Sequence, residues 1–129
     1  MTKQEFIAHV RHIGWVAYQI AAGQAYNERP NEDQWHSLLD GVNFALEHPD
    51  MTPEANHQNW VEMKVSQDWR YGPVKDFEKK EHPDLMPFDQ LPIIEQRKDI
   101  MDGKVNQLAA ELYADFLEQA NAERKAAKR

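Results

Sequence analysis

The stretch from Trp69 to Pro92 constrains this chain more than any other feature, because proline interrupts it every few residues, at Gly72-Pro73, His82-Pro83, Met86-Pro87 and Leu91-Pro92. Proline fixes φ and carries no N–H, so the segment cannot be a helix interior or a central strand. Apolar residues recur at helical spacing on both sides of it. The expected fold is therefore mostly α: a compact helical domain with an ordered, Pro-rich loop, with room for a short β-hairpin, between a third helix and a long C-terminal helix. A loop of this length inside a compact domain is more often functional than incidental.

Thr2 and Glu5 have the spacing of a capping box, and Phe6, Val10, Ile13, Ala17 and Ile20 follow as one apolar stripe, which predicts a first helix over residues 3–26. Trp35, Leu38, Leu39, Val42 and Leu46 mark a second helix that must stop before Pro49. Thr52-Pro53-Glu54 supplies an N-cap hydroxyl, a proline at the first helical position and an acid for the dipole, so a third helix should run to about Gln67. The C-terminal helix is expected over residues 92–125, with Ile94, Met101, Val105, Leu108, Leu112 and Phe116 as its stripe and a basic last turn. Both stripes read first as a helix-on-helix core. An apolar edge at Leu112, Phe116 and Leu117 also leaves room for pairing with a second copy.

A length of 129 residues suits one domain. The net charge of −7 opposes a phosphate backbone, so nucleic acid is not an expected partner. No run of residues is apolar enough for a membrane span, and the N-terminus lacks a signal-peptide layout, so a cytoplasmic location is expected. The absence of cysteine excludes disulfides, thiolate catalysis and Cys-type zinc sites. His9 and His12 share a helix face but lack the Glu of a zincin motif, so no metal and no cofactor is expected.

The contents of the loop carry the chemistry. Trp69, Tyr71, Phe77 and Phe88 alternate with Arg70, Lys75, Lys79, Lys80 and His82, residue types that stack on a planar ring and neutralise an anionic group. The bland alternative is that the aromatics form the loop's own small core and the lysines solvate it. His57 and Trp60 are three residues apart on the third helix and so share a face. The loop acids Asp76, Glu78, Glu81, Asp84 and Asp89 read as solvated charges. Ser37 and Ser66 are the only serines, neither in a nucleophile-elbow pattern, and no glycine-rich phosphate loop occurs, so the chain is not expected to be an enzyme.

Read in order, His57-x-x-Trp60, Trp69-x-Tyr71-Gly72-Pro73-Val74-Lys75-Asp76, Lys79-Lys80-x-His82-Pro83-x-Leu85-x-Pro87-Phe88-x-x-Leu91 and Lys98-Asp99 resemble the signature of RyR domains. These are the repeats of ryanodine-receptor channels, which also occur as small stand-alone proteins in bacteria and bacteriophages. The segments from Gly41-Val42 to His48-Pro49 and Thr52-Pro53-Glu54 resemble the stand-alone forms. The resemblance spans residues 35–99. Three positions depart from it: Asp68 stands where a glycine is usual, Phe88 replaces a common tyrosine, and Asp84 takes a position often held by cysteine.

The resemblance implies a small helical domain across which the loop packs. It also implies a regulatory or interaction role, and in microbes the sensing or sequestering of nucleotide-derived signals, in the host cytoplasm if phage-encoded. The expected function is thus a non-catalytic module for a small anionic ligand, nucleotide-derived or otherwise. Trp60, Trp69 and Tyr71 would stack, while Arg70, Lys75, Lys80 and His57 or His82 would meet anionic oxygen. The alternative is a protein–protein interaction module with no small-molecule ligand.

Overall fold

The computed structural model describes residues 1–128 and is mostly helical: α1 (Lys3–Ala21), α2 (Glu32–Glu47), α3 (Pro53–Ser66) and α4 (Ile93–Ala127). Strands β1 (Arg70–Tyr71) and β2 (Glu81–His82) and a 3₁₀ turn over Phe88–Gln90 lie between α3 and α4. The chain divides into two compact units. One comprises Met1–Val42 with the described part of α4 from Lys104 onward; the other is Asn43–Gly103. Helices α2 and α4 both run through the division.

The helix starts follow their capping residues. Thr2 Oγ1 accepts from the Glu5 N–H at 3.1 Å, and Thr52 Oγ1 accepts from the Ala55 N–H at 3.2 Å, with Pro53 opening α3. Helix α2 opens on a reciprocal capping box. There the Asn31 side chain accepts from the Gln34 N–H at 2.8 Å, and the Gln34 side chain accepts from the Asn31 N–H at 2.9 Å.

Helix α1 ends at Ala21, not at residue 26 as the apolar spacing predicts. Gly23 adopts φ 69°, and the N–H groups of Gly23 and Gln24 reach back to the carbonyls of Ile20 and Gln19. This is a Schellman closure, which outranks the periodicity because it satisfies the last carbonyls of the helix. The α1 stripe is also placed differently from expectation. Ile7, Ala8 and His12 are buried, Phe6 and Val10 are half-buried, and Ile13, Ala17 and Ile20 are exposed. On α4, Ala109 and Asn106 are buried while Leu108, Leu112 and Phe116 are exposed. Both expected core stripes therefore lie beside the buried face rather than on it. Within this unit Phe6 meets Tyr113 at 5.4 Å between ring centroids, and the Tyr113 hydroxyl donates to the Met1 carbonyl at 3.2 Å.

The same closure recurs at the end of α3, with a residue that suits it less well. Asp68 takes φ 69°, the Asp68 N–H donates to the Val65 carbonyl and the Trp69 N–H to the Lys64 carbonyl, each at 3.0 Å. The left-handed conformation penalises a Cβ, so glycine suits this position better than aspartate. Replacement by glycine should relieve that strain. Asp68→Gly is expected to raise stability by about 0.5–1 kcal/mol, readable as a higher urea midpoint with an unchanged m-value.

The two strands pair in parallel, Arg70 with Glu81 and Tyr71 with His82, so the pair is not a hairpin. The connection makes its own turn instead: Asp76 and Glu81 form an antiparallel bridge, and the Asp76 carboxylate accepts from the N–H groups of Glu78 and Lys79. That inner turn takes up the reversal a hairpin would have used. The approach of the strands depends on Gly72, which is buried; a Cβ there would stand 2.5 Å from the Glu81 Cβ.

Candidate functional site

The loop unit is organised around His57 on α3. Its Nε2–H donates to the Met86 carbonyl at 2.8 Å, and its Nδ1 lies 3.3 Å from the Asp99 carboxylate on α4. The ring is buried, at 5% exposure. Burial alone would lower its pKa, but the Asp99 hydrogen bond, the Met86 carbonyl and the charges of Asp99 and Asp84 together raise it. His57 on α3 thus ties the loop to both flanking helices, by its hydrogen bond to Met86 and its contact with Asp99 on α4.

Next to it the aromatic side chains form a connected series. Trp60 stacks on His57 at 5.6 Å and meets His82 edge-on at 5.0 Å; His82 lies 6.4 Å from Trp69, which meets Phe77 edge-on at 5.7 Å. Two lysines cover this series, Lys64 Nζ at 5.1 Å from the Trp69 centroid and Lys75 Nζ at 5.0 Å from that of Phe77.

His82 has the opposite electrostatics to His57. Burial, reinforced by the charges of Lys75, Lys64 and Lys98 and only partly opposed by Glu95, lowers its pKa to about 4. Its Nδ1 accepts from the Asp84 N–H at 3.0 Å, which leaves Nε2 to carry the proton of the neutral ring. Although Lys75 is exposed as a residue, burial of its ammonium lowers its pKa; the charge of Asp84 opposes that and Lys98 adds to it. Asp84 is raised to about 6 by burial, by the charge of Glu95 and by their mutual hydrogen bond, against the pull of Lys98 and His57. Glu95 is bound in turn by Lys98 at 2.8 Å.

The eight residues expected from sequence fall into two groups. Trp60, Trp69, Lys75 and His82 converge. The others have duties elsewhere: His57 is the buried tie, Arg70 lies 3.4 Å from Glu81, and the Lys80 ammonium donates to the Gln67 carbonyl at 2.9 Å. Tyr71 is exposed. Lys64, Lys98, Asp84 and Glu95 belong to the cluster and were not among the expected site residues. Asp84 in particular is not the solvated loop charge expected of it; half-burial and the Glu95 hydrogen bond hold it. Spacing could have found Lys64, because residues 57, 60 and 64 fall on one helical face.

His9 and His12, weighed as metal ligands, are separately engaged. His9 packs on Trp35 at 4.7 Å, and buried His12 donates from Nε2 to the Asn27 carbonyl at 2.8 Å. Among the described residues no group of three or more His, Asp or Glu side chains is arranged to hold a metal ion, and no helix is long and apolar enough to cross a membrane.

Helices bracketing a Pro-rich loop, with a buried His–Asp tie and an aromatic series flanked by lysines, define a small helical module in which the loop is the distinctive part. The family model of the RyR domain matches residues 43–110, just over half of the chain. The chain belongs to the RyR domain family. The match begins at Asn43, the first residue of the loop unit.

Proposed function

We propose that the loop unit is a non-catalytic binding module for a small anionic ligand with a planar ring, of which a nucleotide-derived signal is the leading example. One observation carries the reading: in a chain of net charge −7, three ammonium groups, those of Lys64, Lys75 and Lys98, act together on one neutral histidine between two tryptophans. Glu95, 2.8 Å from Lys98, and Asp84 beside Lys75 offset part of that positive charge, and an anionic ligand would offset more of it. In this reading the indoles of Trp60 and Trp69 supply stacking surface, His82 offers an Nε2–H, and the ammonium groups meet phosphate oxygens. The role is sensing or sequestering a signal in the cytoplasm, with no chemical step.

A second reading is favoured by the self-packing of the same rings: Lys64 and Lys75 already lie over Trp69 and Phe77, so the loop also makes sense as a scaffold for protein–protein contact. A thermal-shift panel of cyclic mono-, di- and trinucleotides, ADP-ribose derivatives and plain nucleotides separates the two. Ligand at about 100 times its Kd adds roughly 2.7 kcal/mol to stability, a shift of several degrees. Trp69→Ala should abolish that shift while helical content by circular dichroism stays nearly intact. The scaffold reading expects a flat panel and a core-like loss of about 3–5 kcal/mol for the same substitution.

A further inference from the structure

We infer that the Asp84–Glu95 carboxyl pair is the chain's own competitor for the anion: it holds the lysines near neutral pH and yields them by taking up a proton, so the site favours an anion in mild acid. The inference rests on the binding role proposed for the loop unit and adds the regulation of that site.

Geometry supplies the competitor. Glu95 and Lys98 lie one turn apart on α4, and their ion pair closes at 2.8 Å with side chains only 28% and 17% exposed, so salt screens it little. Asp84, half-buried in the loop, is hydrogen-bonded to Glu95 and acts on both Lys75 and Lys98. Lys75 and His82 from the loop, His57 from α3 and Lys98 from α4 surround the pair. Two carboxyls in hydrogen-bond contact share a proton more readily than they carry two charges.

An anion reaching Lys75 and Lys98 adds negative charge beside two acids that already repel each other. One proton from solvent on Asp84 relieves this and leaves the pair with a single charge. With Asp84 raised to about 6, that proton is gained just below neutrality. His82 stays neutral until about pH 4, and the Asp84 N–H closes its Nδ1, so it takes no part in this window. His57, raised above 6.5, keeps its proton over most of it. Binding linked to one proton strengthens by up to about tenfold per pH unit on acidification.

Sulfate is the probe, because it keeps its charge across this range and makes no demand on a ring. It is titrated into the isotope-labelled full chain at constant ionic strength, and the four tryptophan indole N–H signals are followed by NMR. Trp60 and Trp69 report the site, and Trp15 and Trp35 serve as references for the fold. Sulfate affinity read at Trp60 and Trp69 should fall by at least about fivefold between about pH 5 and about pH 7. Asp84→Asn should hold the acid affinity throughout, and Glu95→Gln, which leaves Asp84 no carboxylate to share a proton with, should flatten the profile likewise. A parent affinity that does not change with pH, or a pH dependence that survives both substitutions, overturns the inference and leaves the binding role standing. No shift at Trp60 or Trp69 in parent or variants at any pH overturns the binding role and the inference with it.

Discussion

His57→Ala should cost this protein about 3 kcal/mol of stability, measured as a lower urea midpoint. The substitution removes the donor to the Met86 carbonyl and leaves the Asp99 carboxylate without its counter-ion. Breaking a buried pair from one side typically costs about 3–5 kcal/mol, and the 24% exposure of the Asp99 side chain places this case at the lower end. The pH dependence identifies the cause. Because the His57 pKa is raised in the folded chain, its ionic contribution is complete below 6.5 and fades as pH rises through the folded value. The gap between parent and variant should narrow in that direction without closing, since the neutral ring still donates to Met86.

Asp84→Asn should tilt the pH–stability profile steeply. For His82, 6.5 in the free chain and about 4 in the fold, the unfolded chain binds the extra proton, so stability rises with pH across that window by on the order of 3 kcal/mol. Asp84, 3.8 when free and about 6 in the fold, has the opposite sign: the folded chain holds the proton and stability falls with rising pH by a similar order of magnitude. In the parent these slopes offset each other between about pH 4 and 6, because folding moves a proton from His82 to the Asp84–Glu95 pair. Asp84→Asn removes the falling limb, so the stability difference from the parent should grow by about 2–3 kcal/mol between pH 4 and 6.5. His82→Gln should produce the mirror-image tilt. Two variants that both track the parent across that range would show that the groups titrate as they do in water.

Side chains that act on their own neighbours were legible in the sequence. The Thr2 and Thr52 caps, the stop before Pro49 and the proline breaks of the loop were placed correctly because each works through local hydrogen bonds or sterics. The end of α1 departs from the apolar spacing for a related reason: one left-handed glycine at position 23 outweighs a periodicity that continues past it. The stripes at Ile13, Ala17 and Ile20 and at Leu108, Leu112 and Phe116 have core spacing yet lie exposed, because periodicity reports which residues share a face, not whether that face is covered. In the loop unit, aromatic content pointed to Trp60, Trp69 and His82. It could not show that α3 brings Lys64, and the start of α4 brings Glu95 and Lys98, to the same place. Those meetings are set by tertiary structure.

The position of Trp60 has an optical consequence. It lies between two imidazoles, one favouring its charged form and one neutral, and a protonated imidazole quenches an adjacent indole more strongly than a neutral one. Its emission should therefore brighten on the alkaline side as His57 loses its proton and dim on the acid side as His82 gains one.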